Sequence, residues 1–429
     1  MHPRQGWPRI AAPLFPVVMA GVMPINPRYT SYVYILWGLT LLMLRVRGRL
    51  QSGTFPTPAP EKSASERYAW GVCLLPIALY GAHVLGLLWT ADMELGRFQL
   101  ESKLALLVTP WLVWESVRDQ NDEQKRRLWI RMGWAFVAGW GVHMIWVWSR
   151  FLGFYFRHEL PLPWRYSKLA TPFHPSYAAF YLIWAGMFLL ALTAHHRRWM
   201  QLFLIPLGGH LGLLASKAGW LVGGGMLMGS AGFQRKWRHG LLMGSALLVL
   251  VGAGFFAGSK RVAEWVSWME TRSLPESHEV VGVQSPPAKT GSTGGRIQAW
   301  EAGWQLLVEN PAGVGTGDLA AEMDLVYAKS HADYALKKHL NPHNQWLQTG
   351  VSLGWWGLIL LCLWWFGGVY TTWKARQPMT FILLIVLMVN ALFESILELQ
   401  AGIVFAVFWV SFGVLLEPRS RERFLDVRY

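Results

Sequence analysis

The stretch NPHNQWLQTGVSLGWWG, Asn341 to Gly357, passes from polar groups directly into an apolar run. Pro342 disfavours a helical Asn341, so the chain is extended or turning there. His343 and Asn344 then stand where a helix begins. Asn344 or Asn341 can cap that helix through its side-chain oxygen. Capping makes no use of His343. An imidazole titrates near neutrality, so a histidine at the mouth of an apolar helix is a candidate general base. A histidine held only by interfacial hydrogen bonds is the plainer alternative. His339 lies four residues before His343, with His331 and Asp333 nearby. A metal pair at that spacing needs one continuous helical face, which Pro342 interrupts, and no metal is assigned.

Three further clusters carry chemistry-bearing groups. In GSTGGRIQAW, Arg296 follows Gly294 and Gly295 and opens a predicted amphipathic helix over 296–309. Free N–H groups at a helix start attract anions, and a guanidinium adds a forked cation suited to phosphate. In LLASKAGW, Lys217 occupies a tight turn between two short apolar runs, where a buried cation is costly and often functional. Each cation has a plain alternative, a snorkelling arginine and an ordinary turn lysine. FHPSYAAF places His174 and Pro175 at the start of another apolar run. Glu394 and Glu398 are predicted four apart on one helical face, available to orient His343 or to line a sugar site. NPAGVGTGD, Asn310 to Asp318, lacks the Lys-Ser/Thr of a phosphate-binding P-loop and reads as a tight turn ending the amphipathic helix.

The elements that must hold these groups are apolar. The chain has 429 residues, 53% hydrophobic and only 15% charged, with 27 tryptophans. About 20 apolar residues cross a bilayer core, and runs near that length recur along most of the chain. The fold class read from this is all-α, a polytopic membrane protein. Twelve spans are predicted, at 9–24, 29–45, 68–90, 103–117, 129–152, 173–194, 199–215, 218–233, 240–257, 345–372, 378–393 and 401–416. The first reads as a retained span, with no cleavable leader pattern. Tryptophan enrichment fits belts at the two membrane interfaces.

The formal charge of +14 would suggest a nucleic-acid partner in a soluble chain. Here the basic residues sit in short loops and report orientation instead. With the N-terminus cytoplasmic, 23 lysines and arginines fall on inner segments against eight on short outer loops. That bias places both termini inside. The predicted organisation is spans one to nine over 1–257, a large outer loop over 258–344, and spans ten to twelve with a tail over 345–429. A loop this long tends to carry function. Within it Ile297, Trp300, Trp304, Leu307 and Val308 share one helical face, set to lie on the membrane or against the bundle. Cys73 and Cys362 lie in apolar runs as small core residues, and no disulfide framework is predicted.

HNQWLQTGVSLGWWGL resembles the His-Asn-x-x-Leu…Gly-x-x-Gly stretch of the O-antigen ligase and polymerase superfamily. GGRIQAWEAGWQLLVENPAGVGTGD resembles that family's Gly-Arg segment with its following Asn/His-Pro-x-Gly-x-Gly. LLASKAGW matches its Ser-Arg-Gly turn, with Lys217 where the family has arginine. The resemblance covers roughly the second half of the chain. It implies a membrane glycosyltransferase of GT-C-like fold in the bacterial inner membrane, with its site under a periplasmic loop. The implied donor is an O-antigen glycan on undecaprenyl diphosphate, and the acceptor is the lipid A–core oligosaccharide. The implied reaction inverts the anomeric carbon and needs no cofactor or metal. In it His343 is the base, and Arg296 and Lys217 hold the diphosphate. Asn344, His174, Glu394 and Glu398 are supporting candidates. An O-antigen polymerase or a protein O-oligosaccharyltransferase would use the same residues on another acceptor. A transporter of a lipid-linked or anionic substrate is the reading from a different class; no inverted repeat or intramembrane carboxylate relay favours it.

Overall fold

The computed structural model describes residues 13–52, 64–158, 169–193, 198–214 and 292–418, and every regular element among them is a helix. In chain order these are α1 (Leu14–Val22), α2 (Tyr29–Ser52), α3 (Ala64–Gly86), α4 (Met93–Ser102), α5 (Ala105–Val117), α6 (Asp122–His158), α7 (Pro175–Thr193) and α8 (Leu204–Leu213). After the undescribed stretch come α9 (Ser292–Glu309), α10 (Leu319–Lys329), α11 (Asp333–Lys337), α12 (Gln345–Ala375), α13 (Pro378–Asn390) and α14 (Gln400–Leu416). Ten of the predicted spans overlap one of these helices. Those at 218–233 and 240–257 lie outside the described residues, as does Lys217. Among the described residues, four helical stretches are long and apolar enough to cross a membrane: Tyr29–Arg47, Glu66–Trp89, Pro175–Thr193 and Gln345–Ala375.

A helix that is apolar on every side belongs in the interior. α14 is such a helix, with an unbroken buried run from Ala401 to Val414. It packs on α3, α5, α6 and α13, while α12 runs along α3 and α1 lies on α6. The outer faces stay apolar. Ile35, Leu36 and Met43 of α2 and Trp356, Leu363 and Phe366 of α12 are exposed, as lipid-facing residues are. The tryptophans correct one expectation. Trp37, Trp129, Trp140, Trp184, Trp364, Trp365 and Trp409 are fully buried, so interfacial belts account for only part of the enrichment. Trp129, Trp184 and Trp409 meet edge to face with centroids 5.6–6.4 Å apart, the arrangement that ring quadrupoles favour.

The part of the predicted outer loop that is described, residues 292–344, is folded. α9, α10 and α11 close a second small core around Ala299, Leu306, Leu319, Met323, Tyr327 and Ala335, joined to α12 through Val351. The face that packs is not the expected one. Gly295, Ala299, Ala302, Gly303, Leu306 and Leu307 are buried, while Trp304 and Val308 are exposed. Small residues let α9 approach its neighbours closely: a Cβ on Gly295 would meet Tyr334 at 2.7 Å. Of the predicted apolar face, Leu307 is buried, Ile297 and Trp300 are half-buried, and Trp304 and Val308 stay outward.

Candidate active site

Asn341 to Gln345 forms the wall of the site, and its conformation follows from side-chain oxygens competing for backbone N–H groups. α11 ends in a Schellman-type closure, with Leu340 N donating to Ala335 O and His339 in the left-handed region at φ 45°. His331 ends α10 in the same way, with Ala332 N donating to Tyr327 O. Two of the three clustered histidines are thus helix terminators. His339 Nδ1 also faces Asp324 at 2.6 Å, away from His343's partner, so the suspected metal pair is divided between two carboxylates.

The next four residues turn the chain into α12. Asn341 Oδ1 accepts from His343 N at 3.0 Å, an Asx turn. His343 takes φ 44°, a conformation that histidine adopts more readily than bulky residues do. Asn344 is extended, and its Oδ1 accepts from Trp346 N and Leu347 N. The asparagine at 344 therefore caps α12, and that at 341 builds the turn.

Opposite this wall stands the 391–399 loop. α13 ends at Asn390, so Glu394 and Glu398 sit in a turn-rich segment, not on one helical face as predicted. The two carboxylates serve different partners. Glu394 is buried, and its Oε1 accepts from Arg296 Nη2 at 3.0 Å and from Ser176 Oγ at 2.9 Å. Its Oε2 faces His343 Nδ1 at 3.6 Å. Glu398 instead pairs with Lys103 at 2.8 Å. Burial alone would push the Glu394 carboxyl up, but His343, Arg296 and His174 together hold it below the usual carboxylate range. His174 is exposed at the start of α7, edge-on to Tyr177.

Arg296 departs from expectation in two ways. Its helix begins at Ser292, so Arg296 lies a turn inside, and the helix-start N–H groups belong to earlier residues. Its guanidinium is also already paired. It stays about one-third exposed, as does His343, above the buried Glu394. The result is a shelf with a carboxylate beneath and a cation and an imidazole presented outward.

Sequence reasoning passed over three residues that build this shelf. Ser176 follows the noted His174 and Pro175. Gln345 fixes the loop, since its N donates to Ala391 O at 2.7 Å and its Oε1 accepts from Leu397 N at 2.6 Å. Lys103 counted only as an outer charge. Each acts across more than 45 positions of sequence, which no local pattern reveals.

The glycine-rich turn 310–318 has a structural task. Its backbone pairs with α12 at a kink, with Val314 N on Val351 O at 2.8 Å, Gly315 N on Ser352 O at 3.1 Å and Trp355 N on Pro311 O at 3.1 Å. Gly354, at φ 69° and ψ −163°, holds the kink in a backbone region essentially restricted to glycine. Beside Asn344, Trp300, Trp304, Trp346, Leu347, Phe366 and Leu392 line an apolar cavity of about 520 Å³.

Residues 202–362 match the family model described as O-antigen ligase. The match takes in Lys217, Arg296, His343 and Asn344 and supports the O-antigen ligase superfamily. His174, Glu394 and Glu398 lie outside the matched segment. Comparison with curated proteins finds no match.

Proposed function

We propose, from the match to the O-antigen ligase superfamily and from the Glu394 cluster, that the chain transfers a glycan from undecaprenyl diphosphate to the lipid A–core oligosaccharide. The observation that carries the reading is Glu394 bridging Arg296 and His343. With Nδ1 turned to the carboxylate, Nε2 is the nitrogen that takes the proton of the acceptor hydroxyl. The carboxylate orients the ring and balances the imidazolium that forms, the division of labour used wherever a buried acid backs a catalytic histidine. The hydroxyl oxygen attacks the anomeric carbon as the bond to the diphosphate breaks on the opposite face, which inverts the centre. The diphosphate leaves with its electron pair, and Arg296 with Lys217 stabilises the growing charge. Fixed cations in this role replace the divalent ion that many transferases use.

Both substrates reach the site through lipid. In this reading the apolar cavity beside Asn344 receives the start of the isoprenoid chain, and the diphosphate lies over Arg296. The site faces the periplasm, with both termini cytoplasmic.

Reconstituted protein tests the reading with three acceptors side by side: lipid A–core, a second lipid-linked glycan, and a polypeptide bearing serine and threonine. Transfer to lipid A–core is the expected result. Transfer only to the lipid-linked glycan would make the chain a polymerase. Transfer only to the polypeptide would make it a protein glycosyltransferase. No transfer to any acceptor would end the proposal.

A further inference from the structure

Lys103 is the most deeply buried cation among the described residues, with its side chain 2% exposed. It stands at the junction of α4 and α5. Its Nζ donates to Gln99 Oε1 at 2.6 Å and to Glu398 Oε2 at 2.8 Å. A buried ion pair is a poor way to gain stability, because desolvation offsets most of the attraction and an apolar side chain of similar length would serve as well. What such a pair supplies is direction. Glu398 lies four residues after Glu394 in the same loop, which Arg296 of α9 and His343 also hold through Glu394. Gln345 holds it from α12, and Ser176 and Tyr177 hold it from α7. Lys103 fastens it to α4. That helix is itself fixed to the glycine-rich turn, since Ala91 N and Asp92 N both donate to the Asp318 carboxylate at 2.7 Å.

We propose that Lys103 is a positioning residue for the transfer reaction: its ion pair with Glu398 sets the 391–399 loop so that Glu394 stands between Arg296 and His343. The inference rests on the reading of that cluster as the transfer site. Lys103 touches no reacting atom in this scheme and acts only through Glu394. Its loss therefore slows the chemical step more than it weakens donor binding, and it has little left to remove once Glu394 has lost its charge.

A double-mutant cycle on the full-length protein in phospholipid nanodiscs tests this. Lys103→Met should lower kcat about tenfold with the donor KM changed less than about threefold, whereas in a Glu394→Gln background the same change should cost less than about twofold. Exchanging the pair, Lys103→Glu with Glu398→Lys, should recover much of the loss. Full additivity in the cycle, or an unchanged kcat, would overturn the proposal. If Lys103→Met does not accumulate, Glu398→Gln and Lys103→Arg carry the same cycle. There Glu398→Gln should reproduce the loss and Lys103→Arg should retain activity, and the reverse would count against the inference. If the wild-type protein transfers to no acceptor, the functional reading fails, and amide exchange decides the structural part. Peptides from 391–399 should then exchange about tenfold faster in Lys103→Met while those from 292–309 are unchanged. Equal exchange in the loop would remove Lys103 from its support.

Discussion

Glu394 makes opposite demands on the two groups it holds. It faces the imidazole of His343, and it pairs with a guanidinium that the proposed diphosphate donor would also need. Glu394→Gln should therefore separate the two roles. We expect kcat to fall about 10- to 100-fold, within the range of positioned acid–base groups. Donor affinity should stay the same or rise, because Arg296 loses a competing anion. A variant with normal kcat and weakened donor binding would reverse the assignment. The pH dependence has a defined sign. A depressed carboxyl contributes its full stability above its ordinary value near pH 4.3 and loses it as pH falls through the lower folded value. Melting temperature measured against pH should show this acid limb in the wild type and lack it in Glu394→Gln. Lys217 gives an independent test. If it contacts the donor, Lys217→Arg retains activity, Lys217→Ala loses on the order of 10²-fold, and Lys217→Glu loses more. Equal transfer by all three would leave Arg296 as the sole cation in the scheme. At this scale the sequence revealed residue types that announce their own chemistry: a histidine after proline, an arginine after two glycines, an asparagine before an apolar run. It did not reveal Ser176, Gln345 or Lys103, which are ordinary residues until the fold brings the 391–399 loop to them.

Helices were legible wherever burial surrounds them, as in α7 and α14, because unbroken apolarity has one structural solution in lipid. Two elements were misread for physical reasons. α9 packs largely through glycine and alanine beside Leu306 and Leu307, and small residues leave no hydrophobic periodicity; Trp304 and Val308 of the predicted stripe are left outside. The end of α13 was placed too late because apolar residues continue past Asn390 into a loop whose N–H and C=O groups are satisfied by Gln345 and Tyr177. The glycine-rich turn was correctly read as a turn, but its pairing with the kink in α12 was not foreseen. That pairing yields a prediction. Gly354→Ala forces a side chain into a region that non-glycine residues avoid and against Pro311 O. It should cost about 1–3 kcal/mol, read as a lowered midpoint in thermal unfolding in detergent. An unchanged midpoint would mean that the kink does not constrain the backbone.

At the scale of the whole molecule, the folded layer of α9 to α11 and the loop bearing Glu394 meet at one end of an apolar bundle. The excess of basic residues on the opposite segments places that end outside the cell membrane in our scheme. A single cysteine at Lys329, exposed at the end of α10, should react with an impermeant maleimide in intact spheroplasts when Cys73 and Cys362 are replaced. Labelling only after the membrane is permeabilised would invert the orientation. In the proposed scheme one base, one buried acid and one or two cations suffice, because lipid would deliver both substrates and the site-bearing layer would only have to align them. That claim rests most heavily on His343. Its direct test is single-turnover transfer from undecaprenyl-diphosphate glycan to lipid A–core by purified wild-type and His343→Ala protein, with donor binding measured in parallel. The account predicts a loss of about 10²–10⁴-fold in the chemical step with donor binding retained, and near-normal turnover by His343→Ala would contradict it.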